Sequence, residues 1–137
     1  MCSQDLALAG SGALGRVAMP TGAAAEAVGR IVAFSPPAKQ QVLRAVMVGI
    51  LRGVVSQRLL PKVDGGRVAA VEVMVMNARI ADLVREGRAD EITDAVAEGD
   101  FFDMQTFSQA LIEHVLSGRV DAEVAANAAA SRHDVLV

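Results

Sequence analysis

This sequence of 137 residues contains no tryptophan and no tyrosine, and aromatic residues make up only 3% of it. Modules that bind single-stranded nucleic acids use aromatic side chains as stacking platforms. The formal net charge of −3 and the pI near 5.3 also argue against a broad phosphate-binding surface. We therefore expect no nucleic acid among the partners of this protein.

Cysteine is nearly absent as well. Cys2 is the only cysteine, so no disulfide can form within the chain, which favours a reducing compartment. The two histidines, His114 and His133, are far apart in sequence and belong to no cluster with metal-ligand spacing. We expect no metal site, and we interpret His114 as a partly buried structural residue.

Long hydrophobic runs are also missing. The mean hydropathy is +0.38, but Arg, Glu, Asp or Gln interrupts every apolar run well before the ~20 residues that a bilayer requires. We expect no insertion into a membrane. Hydrophobic residues nevertheless make up 53% of the chain and charged residues 21%, a balance that indicates a folded domain rather than a disordered chain.

The apolar residues follow two different periods. Apolar pairs recur every four residues between Val42 and Val55, which predicts one long helix from Pro36 to about Val55 with a buried stripe. Gly49 and Gly53 would then be points of close helix packing. After it, the turn signal Asp64-Gly65-Gly66 separates an extended segment, residues 57–63, from an alternating one, residues 67–76, and this pattern predicts a β-hairpin.

Within the second arm of this hairpin Glu72 is the exception among apolar residues, and we expect it to pair with an arginine or to lie at an exposed edge rather than to act in catalysis. The rest of the chain has helical patterns with cap residues at their starts. The predicted caps are Thr21, Ser35, Asn77, Asp90 and Asp121. The fold class is therefore α/β, predominantly α-helical with one β-hairpin. We expect two parts, a Gly- and Ala-rich lead-in over residues 1–20 and a helical body over residues 21–137.

Two common motifs of catalysis are absent from these 137 residues. There is no G-x-x-x-x-G-K-[ST] phosphate loop and no G-x-S-x-G nucleophile motif. The carboxylates between Glu86 and Glu98 stand at positions typical of helix first turns or solvated faces. Residue chemistry by itself therefore predicts a mostly helical domain and no catalytic residue.

Several segments, in order, resemble a known family, the PilT and PilU type IV pilus retraction ATPases of the type II/IV secretion ATPase superfamily. The similar segments are Ala24 to Ile31, Phe34-Ser35-Pro36-Pro37, Ser56 to Pro61 (S-Q-R-L-L-P), Gly66 to Val73 (G-R-V-A-A-x-E-V), Ile80 to Glu86, Met104 to Leu111 (M-Q-T-F-x-Q-A-L) and Ser131 to Leu136. The resemblance implies the C-terminal portion of a RecA-like P-loop ATPase domain together with its helical end.

This resemblance also implies functional residues. Ile80, Leu83, Arg85 and Glu86 match positions of the family's A-I-R-N-L-I-R-E motif, which is associated with retraction, so they would couple movement rather than perform chemistry. Thr21 would be a remnant of the family's histidine box, in which the histidine position is occupied by Pro20. In the A-I-R-N-L-I-R-E motif the sequence departs from the family at Arg79, Ala81 and Asp82.

Two functions are compatible with the sequence. In the first, the chain is a C-terminal fragment or degenerate relative of a pilus retraction ATPase that does not hydrolyse ATP by itself, since the Walker A and Walker B segments are missing. ATP and Mg²⁺ would then be cofactors of complete family members only. In the second, it is a non-catalytic helical module that oligomerises or binds a partner secretion ATPase. We expect a homo-oligomer associated with pilus or secretion machinery, in the cytoplasm and at the inner face of the inner membrane.

Overall fold

The computed structural model describes residues 12, 14–19 and 22–136, without the side chain of Phe101. Thr21 and Pro20 lie outside these residues. The elements occur in the order α1 (Ala24–Ala33), α2 (Pro37–Ile50), β1 (Gly53–Pro61), β2 (Arg67–Val75), α3 (Ala78–Arg85), α4 (Ile92–Ala97), α5 (Phe107–Leu116), α6 (Ala122–Ala128) and α7 (His133–Leu136). Single 3₁₀ turns at Ala89–Glu91 and Asp100–Phe102 precede and follow α4. The predominantly helical fold with one hairpin is confirmed.

The two strands pair in antiparallel register, from Gly53 opposite Val75 to Pro61 opposite Arg67. Along β2 the residues Ala70, Glu72 and Met74 are buried, while the valines between them are half-buried. The predicted alternation is confirmed, because successive side chains of a strand point to opposite faces. On the outer edge of β2, Val73 and Gln105 exchange both backbone hydrogen bonds, at 2.9 and 3.1 Å.

The prediction of one helix as far as Val55 is wrong. Helix α2 ends at Ile50, and Val54 and Val55 belong to β1. Gly53 marks the change, since a Cβ atom there would lie 2.8 Å from the carbonyl oxygen of Met74 on β2. Gly49 is exposed, and a Cβ atom added to it would meet nothing within 4 Å, so it is not a point of close packing. A short apolar pattern fits both a helix and a strand, and long-range pairing decided between them.

The helix caps are partly as predicted. The side chains of Asn77 and Asp121 accept backbone hydrogen bonds at the starts of α3 and α6, both at 2.9 Å. Asp90 is not a cap, because it lies within the 3₁₀ turn before α4. Ser35 lies just before the N-cap position of α2, which Pro36 occupies. Helix α5 begins with a reciprocal capping box between Thr106 and Gln109.

The hydrophobic core consists of two clusters along the hairpin. The first packs α1 to α4 around Met47, Met74 and Ile80, which are each at most 1% exposed. The second packs α5 and α6 around Leu60, Ala70 and Leu111. Strand β2 contributes Met74 to the first cluster and Ala70 to the second, so it joins the two halves of the molecule.

Candidate functional site

Helix α3 carries the motif residues, and local signals define both of its ends. Asn77 caps the first turn through the backbone N–H of Ile80. At the other end Gly87 adopts a φ of 71°, the backbone N–H of Arg88 donates to the carbonyl of Leu83 at 2.9 Å, and that of Gly87 donates to Val84 at 3.2 Å. These two bonds form a Schellman closure, which requires a left-handed residue just past the helix.

The structure divides the four predicted coupling residues into two pairs. Ile80 is fully buried and Leu83 is 7% exposed, so both lie in the first core cluster. Arg85 and Glu86 lie at the exposed C-terminal end of α3, each with 55% of its side chain accessible. The buried pair fixes the helix in the core, and the exposed pair is open to solvent.

Ion pairs surround this exposed end. Arg85 donates to Asp82 at 3.1 Å on the same helix. Arg88 donates to Glu86 at 2.8 Å and binds Glu91 through two nitrogens. Because of this hydrogen bonding, the pKa of the Glu91 carboxyl is lowered and the pKa of the Arg88 guanidinium is raised. Arg85 and Glu86 therefore do not pair with each other; each is held by a different neighbour.

A small cavity lies behind this end of α3. Its volume is about 200 Å³, and it is lined by residues of α1, α2 and the α3 terminus, among them Val28, Gln40, Arg44 and Gly87. The guanidinium of Arg44 packs against Gly87, where a Cβ atom would lie 3.2 Å from its central carbon. The end of the motif helix is thus in direct contact with α2.

Sequence reasoning missed a buried structural arrangement at Glu72. The carboxylate is 4% exposed and accepts hydrogen bonds from the backbone N–H of Ala24, at 2.6 Å, and of Phe107, at 3.3 Å. These are the first residues of α1 and α5. The expectation of an arginine partner or an exposed edge is wrong: Glu72 neutralises the N-termini of two helices, where backbone N–H groups lack partners. The sequence contained one signal for this burial: Glu72 alternates with Ala70 and Met74 along β2 and therefore lies on the same face of the strand.

His114 is buried, as predicted. It is 8% exposed, and its Nε2 lies 2.8 Å from the carbonyl oxygen of Ala69 on β2. Its Nδ1 has no hydrogen-bond partner among the described residues. This histidine ties α5 to the hairpin, a structural role.

No group of three or more acidic, cysteine or histidine side chains within the described residues could hold a metal ion, and the 137 residues contain no phosphate-loop motif. No helix in the described part of the chain is long and apolar enough to cross a membrane.

Comparison with known proteins gives consistent matches in sequence. No family model matches the chain. It is 33% identical over 103 residues to the type IV pilus retraction ATPase PilT of Pseudomonas aeruginosa, 35% identical over 106 residues to a twitching motility protein of Neisseria gonorrhoeae, and 32% identical over 111 residues to the type IV pilus ATPase PilU of Pseudomonas aeruginosa. These matches cover 75%, 77% and 80% of the chain but only 30%, 28% and 29% of the relatives. The chain thus spans less than a third of their length.

Solved structures agree with these relatives. A crystal structure of the pilus retraction motor PilT with bound ADP superimposes with a TM-score of 0.70 at 34% identity, and the match covers 79% of this chain and 30% of that one. The ATPase DotB of Legionella pneumophila matches with a TM-score of 0.60 at 24% identity, over 74% of this chain and 28% of that one, which shows likeness of fold alone.

Proposed function

We propose that this chain, a member of the family of PilT and PilU type IV pilus retraction ATPases, transmits movement in such a motor and does not itself hydrolyse ATP. It corresponds to the C-terminal portion of these proteins. On this proposal it is a piece or a degenerate relative of a retraction ATPase. It works in the cytoplasm, at the inner face of the inner membrane, in contact with pilus machinery.

The observation that supports the coupling role is that helix α3 has a buried part and an exposed C-terminal end. A coupling element has to be rigid at its base and accessible at its tip. Ile80 and Leu83 provide the base, since both are buried, and Arg85 and Glu86 provide the accessible tip. Neighbouring charges hold both tip side chains. Exposed ion pairs cost little to rearrange, because their net contribution is about 0–1 kcal/mol. A partner with complementary charges can therefore replace Asp82 and Arg88 without disturbing the core.

We expect no ATP hydrolysis by the 137-residue chain alone. Phosphoryl transfer needs a phosphate cradle, a lysine that neutralises charge and a set of Mg²⁺ ligands. The measurement is phosphate release by highly purified protein, with boiled protein as the blank and a complete PilT ATPase as the positive control. Steady phosphate release above that of the boiled protein, in fractions where the activity follows the purified chain, would contradict the expectation.

The coupling role is tested in a bacterium that twitches with a complete PilT ATPase. We expect expression of this chain to alter twitching, and the variant R85A/E86A to lose that effect while it still copurifies with the complete ATPase. The matched control is R52A/E113A, which removes one exposed arginine just before β1 and one exposed glutamate on α5 and leaves the C-terminal end of α3 unaltered. An unchanged effect of R85A/E86A on twitching would overturn the coupling role.

The second candidate, a module for oligomerisation or for binding a partner ATPase, is favoured by a different observation. Apolar side chains on α2 and β1 are open to solvent: Val42, Val46, Val55 and Leu59 are 66%, 46%, 70% and 59% exposed. If R85A/E86A abolishes copurification as well as the twitching effect, α3 is a binding element and this second candidate is correct.

A further inference from the structure

A second cleft lies at the tip of the hairpin, beside the turn that joins β1 to β2. The start of β1 and helix α3 are at the other end of the hairpin. Its volume is about 580 Å³, within the range of small-molecule sites. Two loops form it: the hairpin turn contributes Lys62, Asp64 and Arg67, and the loop between α5 and α6 contributes Ser117, Gly118 and Arg119. Neither the sequence motifs nor the coupling proposal uses these residues.

The two loops are fastened to each other. The backbone N–H of Val63 donates to the carbonyl of Arg119 at 2.9 Å, and that of Lys62 donates to Gly66 at 3.0 Å. Gly118, at a φ of 70°, closes α5 so that the backbone N–H of Arg119 donates to His114 at 3.0 Å. The backbone positions of Lys62, Arg67 and Arg119 around the cleft are therefore set by the fold.

Positive charge exceeds negative charge in this cleft. Lys62 is paired with Asp64 at 3.3 Å, so these two charges cancel. Arg67 and Arg119 form no ion pair within the part of the chain that the structure describes. Two arginines without an ion-pair partner among the described residues thus line one cleft in a protein whose net charge is −3.

We infer that this cleft, the hairpin-tip cleft, binds a phosphate-bearing ligand through Arg67 and Arg119. A phosphate ester carries about −1.5 to −2 charge near neutral pH, which matches two arginines, and the planar guanidinium donates two parallel hydrogen bonds to phosphate oxygens. Lys62 lines the same cleft as a third donor. The shared chemistry is a phosphate group, supplied either by a small soluble molecule or by a phospholipid headgroup.

The test uses the full 137-residue chain with uniform ¹⁵N labelling. Inorganic pyrophosphate is titrated in low salt while amide shifts are recorded, and sedimentation with vesicles of phosphatidylglycerol is compared with vesicles of phosphatidylcholine. We expect pyrophosphate to shift the amides of residues 62–67 and 117–119. Vesicle binding that requires phosphatidylglycerol, without a pyrophosphate effect, would assign the phosphate to a lipid.

The variants R67Q and R119Q should each weaken binding about tenfold, as expected for the loss of one charge-assisted contact. R52Q is the matched control: Arg52 is an exposed arginine at the other end of the hairpin, and its loss should leave binding unchanged. The inference is overturned if neither probe binds, if shifts map elsewhere, or if R52Q weakens binding as much as R67Q and R119Q. Shift mapping on the unaltered chain decides the question even if a variant folds poorly.

Discussion

At the scale of single residues, Glu72 has the greatest structural consequence. One buried carboxylate satisfies the first backbone N–H of two helices that are separated by most of the chain. It connects β2 to α1 and α5 at once, and through them it joins the two core clusters. Removing its charge should weaken both attachments.

We expect Glu72→Gln to lower the free energy of unfolding by about 2 kcal/mol, because two hydrogen bonds to a charged acceptor become bonds to a neutral amide at helix N-termini. Urea denaturation followed by circular dichroism measures the change. Glu113→Gln is the control, since Glu113 is exposed on α5 and its replacement should alter stability by no more than about 0.5 kcal/mol. Equal stability of the two variants would show that Glu72 does not hold the helices.

Two glycines provide a second prediction at this scale. Gly87→Ala should destabilise the protein by about 1–2 kcal/mol, because an L-residue is strained in the left-handed region, and the new Cβ would press on Arg44. Gly49→Ala should stabilise it by about 0.5–1 kcal/mol, since alanine favours a helix interior and the position opens to solvent. Thermal unfolding of the two variants in parallel measures both changes in melting temperature. If both variants shifted the melting temperature in the same direction, the different backbone roles given to Gly87 and Gly49 would be wrong.

At the scale of elements, helix α2 differs from its sequence pattern. Its apolar stripe is only partly buried: Met47 is fully buried, whereas Val42 is 66% exposed. Strand β1 takes the residues that the pattern assigned to the end of the helix. The helix is therefore anchored mainly by Met47, near its C-terminal end.

We expect Met47→Asp to unfold the protein, because an unpaired carboxylate would replace a fully buried side chain in the first core cluster. Loss of the cooperative thermal transition is the measurement. Val42→Asp on the same helix is the control and should retain the transition. A variant at position 47 that melts like the unaltered protein would mean that this face of α2 is exposed.

At the scale of the whole molecule, the exposed apolar surface bears on association. The Val- and Met-rich arm from Val68 to Met76 does not provide this surface, since it is buried or half-buried. The surface lies instead on α2 and on β1, whose outer edge has no partner strand among the described residues. Open strand edges and apolar patches favour pairing with another chain.

We expect the purified chain to form a homodimer or larger homo-oligomer, most simply with two-fold symmetry. Light scattering over a concentration series measures its mass. The variant V55S/L59S should shift the protein towards the single-chain mass, while L116S, which changes an 83% exposed leucine on α5, should not. A single-chain mass that holds as concentration rises would rule the oligomer out.

The sequence by itself determined the local features of this protein. Asn77 and Asp121 cap their helices, and the Asp64-Gly65-Gly66 turn and the alternation along β2 define the hairpin, because each of these signals acts between residues close in the chain. Family resemblance, carried by several segments in order, was likewise readable from sequence and is supported by the relatives. The roles of Ile80, Leu83, Arg85 and Glu86 in coupling stay a prediction.

Only the tertiary structure decided the long-range features. The carboxylate of Glu72 and the backbone of Ala24 are 48 residues apart in sequence, and the guanidinium of Arg58 bonds the carbonyl of Ala128 across 70 residues. No local pattern encodes such partners. The end of α2 was decided in the same way. Val54 and Val55 fit a helical pattern and a strand pattern equally well, and pairing with the backbone of β2 places them in a strand. The hairpin-tip cleft exists only because Val63 and Arg119 meet in the folded chain.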